Sequence, residues 1–527
     1  MALCAAPALA KDKDKEKKAE IRETAETPYL ARDFVFVDSP GLETYLRTIA
    51  QRLLDARGVK MPVPNILIQS SDAFNVFTDS KRNLVVATGA LRTVASEDEL
   101  AALLGHELSH QILKHPQNKD ALNALPLGLD TIASFKTTAA QLKGQRTAYT
   151  GELSKFGDES LSTTQVVSLL WSDFLAPSWN RKQELAADQN GFELMRAAGY
   201  DPSAFGTLFQ KLHAEETKRT ERMAALKKVL LARFKQSQAK RTTTSRSPTD
   251  ASQLVSEAKE SAATGAVDKL IDKLSVFNRE YDSPDDRQAA LAEYARAHRE
   301  QTRPSRPAVH LNDTVRAGVG AHLLALDAAA IGTLDALAAK NTAQATKSVL
   351  GLGAGTAKQP SPHLNLAVGT YYQARGRNDV GRSSAKAWLA AKRPPAQAYT
   401  WVAYYQYLDK DYTGALGTLE QGRRRVGAST PFLPNLVSIA KAAGQKTEAE
   451  GYTRECAAED RRNVGNMVTS LFKDKGAPSG LYAECVQRLG YQPADTESAV
   501  MHAVKNPVET GKGLTQSVKG LFKRNPK

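Results

Sequence analysis

The sequence predicts a mainly α chain in two parts, an α+β domain with a small β-sheet followed by an α-helical, tetratricopeptide-like solenoid. Apolar residues recur at helical spacing through most of the chain, as in "GLETYLRTIAQRLLDA". Two segments rich in branched and aromatic residues, "ILIQSSDAFNVFTD" and "NLVVATG", lie close together near the N-terminus. Three stretches beginning near 370, 403 and 438 align with a period of about 34 residues. With 527 residues, the chain exceeds what one compact core usually serves.

The opening "MALCAAPALA" (1–10) is small and apolar, ends in Ala-x-Ala and gives way to a charged linker, 11–27, containing "KDKDKEKK". It reads as the remnant of a secretory signal whose charged start and most of whose apolar core are missing, or as a disordered N-terminus. Leu3 stands where a small residue would precede a lipidated cysteine, so Cys4 does not mark a lipoprotein. In an exported chain Cys456 and Cys485 can pair as a disulfide; the other reading is two buried free thiols.

Within 28–57, Leu42, Leu46, Ile49 and Leu53 make one helical stripe. After "MPVPN" the two β segments, joined by the turn-like "DSKR", read as a hairpin or as adjacent strands. "SEDELAALLGHELSHQILKH" is a helix capped near Ser96 and stopped by Pro116, and "NRKQELAADQNGFELMRAAG" is another, with Asn180 as cap and Gly199 at its end. Residues 215–240 form a basic helix with Leu226, Leu230 and Phe234 on one stripe, which packs on the protein or lies peripherally on a membrane surface. With the flexible link "TTTSRSPTDAS" it makes a basic insertion spanning 215–262.

The apolar stretch "HLLALDAAAIGTLDALAA" is interrupted by Asp327 and Asp335, so no transmembrane helix is expected. Over 310–495, "TYYQARGRNDVGRSSAKAWLA", "AYYQYLDKDYTGALGTLEQG" and "SIAKAAGQKTEAEGYTRECAA" each read as helix, polar turn, helix. These are tetratricopeptide-like repeats, or else an ordinary helical bundle. A basic tail, 496–527, follows. The net charge of +14 is scattered over the linker near 240, "EQGRRRVG" and "KGLFKRNPK", with no recognition motif. Such charge fits a solvated surface or attraction to an anionic membrane and argues against nucleic acid as the partner.

The chemistry is concentrated in "LLGHELSHQILKH". His106 and His110, four apart, share a helical face, with Glu107 beside the first; this spacing suits two metal ligands and a general base. Leu104, Leu108 and Ile112 line the opposite side and can pack. His115, about half a turn round from His106 on a continuous helix, is out of phase and reads as a packing or capping residue. Catalytic zinc commonly takes three protein ligands and keeps one open position. "RKQELAADQNG" supplies Glu184 as third ligand and Asp188 on the same face to hold a ligand histidine by its other ring nitrogen. Arg181 could neutralise the extra carboxylate there, and Gly191 lets another helix approach closely. The implied cofactor is one zinc ion.

These stretches, together with "SDAFNVFTDSKRNLVVATGALRTV", resemble zinc metallopeptidases of the HtpX and Oma type (M-48 type), in the layout of their exported, repeat-bearing assembly-enhancing branch. The resemblance covers residues from 35 to 295 in motif order, and the repeats by architecture only. It implies a zincin-type metallopeptidase domain over 28–300, with His106, His110 and Glu184 as zinc ligands and Glu107 as general base. Asp188 is implied as the second catalytic or supporting acid, and Arg287 as the arginine kept from a downstream motif. In that motif, "EYDSPDDRQAAL", Ser283 stands where the family often has a histidine that can cap the metal, so this form of self-inhibition lacks its histidine here.

The resemblance further implies a periplasmic endopeptidase acting on unfolded or misassembled envelope proteins. Its repeats would dock substrate or the outer-membrane assembly machinery. An edge strand holds substrate extended in that family, which makes Phe74 and Asn75 in "AFNVF" substrate-strand candidates; a plain core strand is the other reading. The competing function is a chaperone or assembly scaffold that binds clients through the repeats, with its metal site latent.

Overall fold

The structure is a computed structural model that describes residues 21–115, 181–215, 217, 283–298, 307, 309–311, 315, 318, 320–338, 341–352, 362–467 and 480–489. The signal remnant, residues 11–20 of the charged linker, the segment 116–180 with Asn180, nearly all of the basic insertion and the tail 496–527 lie outside the described residues.

Helix α1 (Thr27–Leu30) leads through an extended stretch to α2 (Pro40–Ala56), which begins where the Ser39 side chain accepts from the Leu42 N–H. The predicted stripe of Leu42, Leu46, Ile49 and Leu53 is buried. Strands β1 (Asn65–Gln69), β2 (Val76–Thr78) and β3 (Asn83–Ala87) form a sheet in the order β1-β3-β2. β2 and β3 make an antiparallel pair with Phe77 opposite Val85, and β1 runs parallel to β3 with Leu67 opposite the same valine.

Side chains alternate across a strand, so the sheet divides its residues between two cores. Ile66, Ile68, Val76, Leu84 and Val86 pack with α2 and with the helices that carry His106 and Glu184. Leu67, Phe77 and Val85 pack with Tyr29, Phe36 and residues of the C-terminal half, among them Tyr399, Leu419 and Phe432. The sheet is thus covered on both faces, which is why its strands are near-continuous apolar runs. The two halves of the chain share this sheet, and the C-terminal half also closes a core of its own around Trp388 and Trp401.

α3 (Thr88–Thr93) and α4 (Glu97–Ile112) follow, and the Ser96 hydroxyl caps α4 by accepting from the Glu99 N–H at 3.1 Å. α4 stops at Ile112, before Pro116 is reached. Lys114 takes the left-handed conformation, φ 53, and the His115 N–H returns to the His110 carbonyl at 3.0 Å. That is the bond pattern of a Schellman turn, here with lysine where glycine is usual. α5 (Arg181–Ala197) ends just before Gly199, at φ 77. A helix over 204–215, α6, and α7 (Pro284–Ala297) complete this half.

The C-terminal half is helical: α8 (Ala321–Ala338), α9 (Thr342–Gly351), α10 (Pro362–Gln373), α11 (Asn378–Leu389), α12 (Ala396–Leu408), α13 (Tyr412–Val426), α14 (Leu433–Ala442), α15 (Lys446–Met467) and α16 (Gly480–Leu489). α10 packs on α11, α12 on α13 and α14 on α15. Cys456 and Cys485 form a disulfide between α15 and α16.

Asp327, which interrupts the apolar run of α8, is fully buried. It accepts from Thr88 Oγ1 at 2.7 Å and from the Ser70 hydroxyl, which also meets His363 of α10. Ser70 and Thr88 immediately follow β1 and β3, so this carboxylate ties the helical half to one end of the sheet.

A second tie is Asp33, at φ 61, whose carboxylate accepts from the Gln397 N–H at 2.6 Å. Burial pushes its carboxyl up to about 7, against the hydrogen bond, which pulls it down. The folded state therefore holds this proton more tightly than the unfolded chain, whose aspartates titrate near 3.8. The stability it contributes is full below the unfolded value and is lost as pH rises through about 7. Asp33→Asn keeps an acceptor and tolerates the left-handed backbone. Its melting temperature should match wild type near about pH 4 and exceed it near about pH 8; parallel curves for the two proteins would dismiss this origin of the pH dependence.

Candidate metal centre

α4 and α5 cross where two glycines meet. A Cβ added to Gly191 would lie 3.0 Å from the His106 backbone nitrogen and 3.1 Å from the Gly105 carbonyl carbon. Gly191 thus plays the close-approach role expected of it, and Gly105 is its partner on α4. The crossing is pinned by Ser109, whose Oγ donates to the Gly105 carbonyl at 2.6 Å and accepts from Asn190 Nδ2 at 2.9 Å.

This approach brings Glu184 to the two histidines. His106 Nε2 lies 3.5 Å from Glu184 Oε2, and His110 Nε2 lies 3.7 Å from Glu184 Oε1. The three ligand atoms all fall within 4.8 Å of one another. Behind the His106 ring, Nδ1 meets Asp188 Oδ1 at 2.8 Å.

Arg287, from α7, grips Asp188 with both prongs, Nε to Oδ2 at 2.8 Å and Nη2 to Oδ1 at 2.6 Å, while Nη1 lies 3.0 Å from Glu184 Oε2. Its guanidinium also lies over the Phe209 ring, 5.3 Å from the centroid. The cation beside these carboxylates is therefore Arg287, and Arg181 is exposed in the first turn of α5. Both Asp188 oxygens are engaged and the residue is fully buried, which places it behind the His106 ring.

Burial works to raise the Asp188 carboxyl, but the Arg287 charge and the His106 hydrogen bond outweigh it and hold it below its ordinary value. For Glu107, burial pushes the carboxyl up to about 8; the Glu184 charge adds to this, and His106 works against it.

Other predicted positions fall differently. Phe74 packs in the core, and Asn75 uses its carbonyl to accept from the Ala87 N–H at 3.0 Å. The strand against the site is β2, which begins at the residue after Asn75. Thr78 Oγ1 accepts from Gln111 Nε2, and the Thr78 N–H hydrogen-bonds the Glu107 carboxylate. Ser283 is exposed and caps α7, accepting from the Asp286 N–H at 3.1 Å. His115 lies against the His110 ring, its Nδ1 2.9 Å from His110 Nδ1, because the chain leaves the helix at Ile112 and turns back at Lys114. Helical phase carried past the true end of α4 misplaces this residue.

The residues suit a zinc ion. Two imidazole nitrogens and a carboxylate are ordinary zinc donors, and each ring's outer nitrogen has a protein partner. Glu107 Oε2 is buried and has no hydrogen-bond partner among the described residues, as suits a carboxylate that serves a bound water or substrate.

Residues 40–230 match the family model of peptidase family M48. The chain is 27% identical over 180 residues to the beta-barrel assembly-enhancing protease of Escherichia coli strain K12, covering 33% of this chain and 34% of that one. It is 28% identical over 172 residues to the mitochondrial metalloendopeptidase OMA1 of Schizosaccharomyces pombe, covering 33% and 44%. To a protease HtpX homolog of Thermodesulfovibrio yellowstonii it is 28% identical over 196 residues, 35% and 62%. The chain spans about a third of the length of the first of these relatives. The match to the peptidase family M48 model spans the residues that carry His106, Glu107, His110, Glu184 and Asp188.

Proposed function

We propose that this chain is a zinc-dependent endopeptidase that hydrolyses peptide bonds in unfolded or misassembled envelope proteins. The observation that supports it most is the convergence of His106, His110 and Glu184 ligand atoms within 4.8 Å, with Glu107 on the same helix. One zinc ion held there would polarise the scissile carbonyl and acidify water beside it.

Glu107 then takes the proton from the attacking water and returns it to the amide nitrogen as the bond breaks. A carboxyl pushed towards neutrality suits both halves of that task. Asp188 accepts from His106 Nδ1 and keeps the Nε2 lone pair aimed at the cluster, so it is a positioning residue. Arg287 balances Asp188 and Glu184 and holds both carboxylates in place.

β2 is the terminal strand of the sheet among the described residues and borders α4. An extended peptide pairing along it would pass beside Glu107, a mode that favours unfolded chains. The disulfide Cys456–Cys485 supports an oxidising compartment such as the periplasm. No helix among the described residues is long and apolar enough to cross a membrane. The helix pairs from α10 to α15, taken as tetratricopeptide-like repeats, would dock a partner such as the outer-membrane assembly machinery.

Cleavage of unfolded casein by the purified chain tests this reading. It should stop on adding a zinc chelator and return when zinc is restored. Cleavage that persists in chelator, or that never occurs with zinc bound, contradicts it.

A further inference from the structure

We infer that His115 is a positioning residue for the zinc site, holding His110 by its outer nitrogen as Asp188 holds His106. The inference rests on the zinc reading above and extends it to a residue outside the HExxH motif. In a neutral imidazole one nitrogen carries hydrogen and the other a lone pair, and the partner of one decides the state of the other. His106 and His110 present Nε2 to Glu184. Ligation through Nε2 requires hydrogen on each Nδ1 and an acceptor for it.

For His106 the acceptor is Asp188 Oδ1 at 2.8 Å. For His110 it is His115 Nδ1 at 2.9 Å. In this arrangement the His110 Nδ1–H donates, His115 Nδ1 accepts, and the His115 proton sits on its own Nε2. The two rings also meet edge to face, with centroids 5.1 Å apart.

The backbone is built for this contact. On a continued helix His115 would point away; the left-handed Lys114, φ 53, and the bond from the His115 N–H to the His110 carbonyl turn it back over the last turn. A lysine in this conformation costs on the order of 1 kcal/mol relative to glycine, and the surrounding contacts sustain it.

Two substitutions separate an acceptor from a packing ring. His115→Asn places Oδ1 on Cγ, where histidine carries Nδ1, and so keeps an acceptor while losing the ring. His115→Phe keeps the ring and its contact with His110 but has no acceptor. Zinc affinity is measured by competition with a chelator on the full chain, alongside the melting temperature of the zinc-free protein as a check on folding.

His115→Phe should bind zinc about 10- to 100-fold more weakly than wild type, and His115→Asn should stay within about 3-fold of wild type, a loss on the order of a single neutral hydrogen bond's net worth or less. Wild-type affinity in His115→Phe, or a weakening in His115→Asn as large as in His115→Phe, overturns the role assigned to His115. Failure of the wild-type chain itself to bind zinc would instead overturn the metallopeptidase reading on which it rests.

Discussion

Glu107→Gln is expected to lower kcat for unfolded casein by about 10²- to 10⁴-fold and to leave zinc binding intact. Glutamine is close to isosteric and cannot accept a proton at this pH, so the cost falls on proton transfer. Glu107 is not among the three residues whose ligand atoms converge, which is why binding should survive. Glutamine never carries a charge, so above about pH 8, where Glu107 ionises, the variant should be at least as stable as wild type to heat. The same variant separates a protease from a client-binding scaffold. If it restored a deletion strain as fully as wild type does, peptide hydrolysis would not be the biological role.

Arg287→Met should be the most destabilising single change at the site. It leaves Asp188, fully buried, and Glu184, nearly so, without the cation that lies 2.6 and 3.0 Å from them. Breaking a buried pair from one side costs about 3 to 5 kcal/mol, read as a lower urea midpoint for the zinc-free protein. Arg287→Lys keeps a charge but cannot bond both Asp188 oxygens as a fork, so it should fall between the two. A midpoint for Arg287→Met within error of wild type would mean that the carboxylates share a proton or find another partner.

Much of this site can be read from sequence because its parts are short-range. His106, Glu107 and His110 share one face through helical period alone, and Glu184 and Asp188 do the same on α5, so each helix advertises its half. What joins the halves is a crossing at Gly105 and Gly191, and a glycine in a helix signals a close approach without naming its partner.

Contacts that depend on where a helix ends or on a distant chain are harder to read. The contact of His115 with His110 is not legible, because helical phase does not extend beyond Ile112 into a turn set by Lys114, a residue with no special preference for left-handed backbone. Which arginine lies against Glu184 and Asp188 is set by tertiary structure: it is Arg287, distant in sequence, while Arg181 is exposed.

The fold divides in the same way. The hairpin of β2 and β3 and the caps at Ser39 and Ser96 follow from local rules. That Leu67, Phe77 and Val85 face the C-terminal helices does not, because alternation sorts residues into two faces and says nothing of what covers each. Asp327 in sequence only interrupts an apolar run; its pairing with Ser70 and Thr88 explains why that interruption sits inside the protein.

The central claim is that His106, His110 and Glu184 hold one zinc ion. Anomalous diffraction recorded on either side of the zinc absorption edge, from crystals of the zinc-loaded chain, tests it most directly. The expected result is one strong peak within about 2.3 Å of an Nε2 of each histidine and of a Glu184 oxygen, absent from crystals of Glu184→Ala. A peak bound by other residues, or no peak at this cluster in protein that cleaves casein, would contradict it.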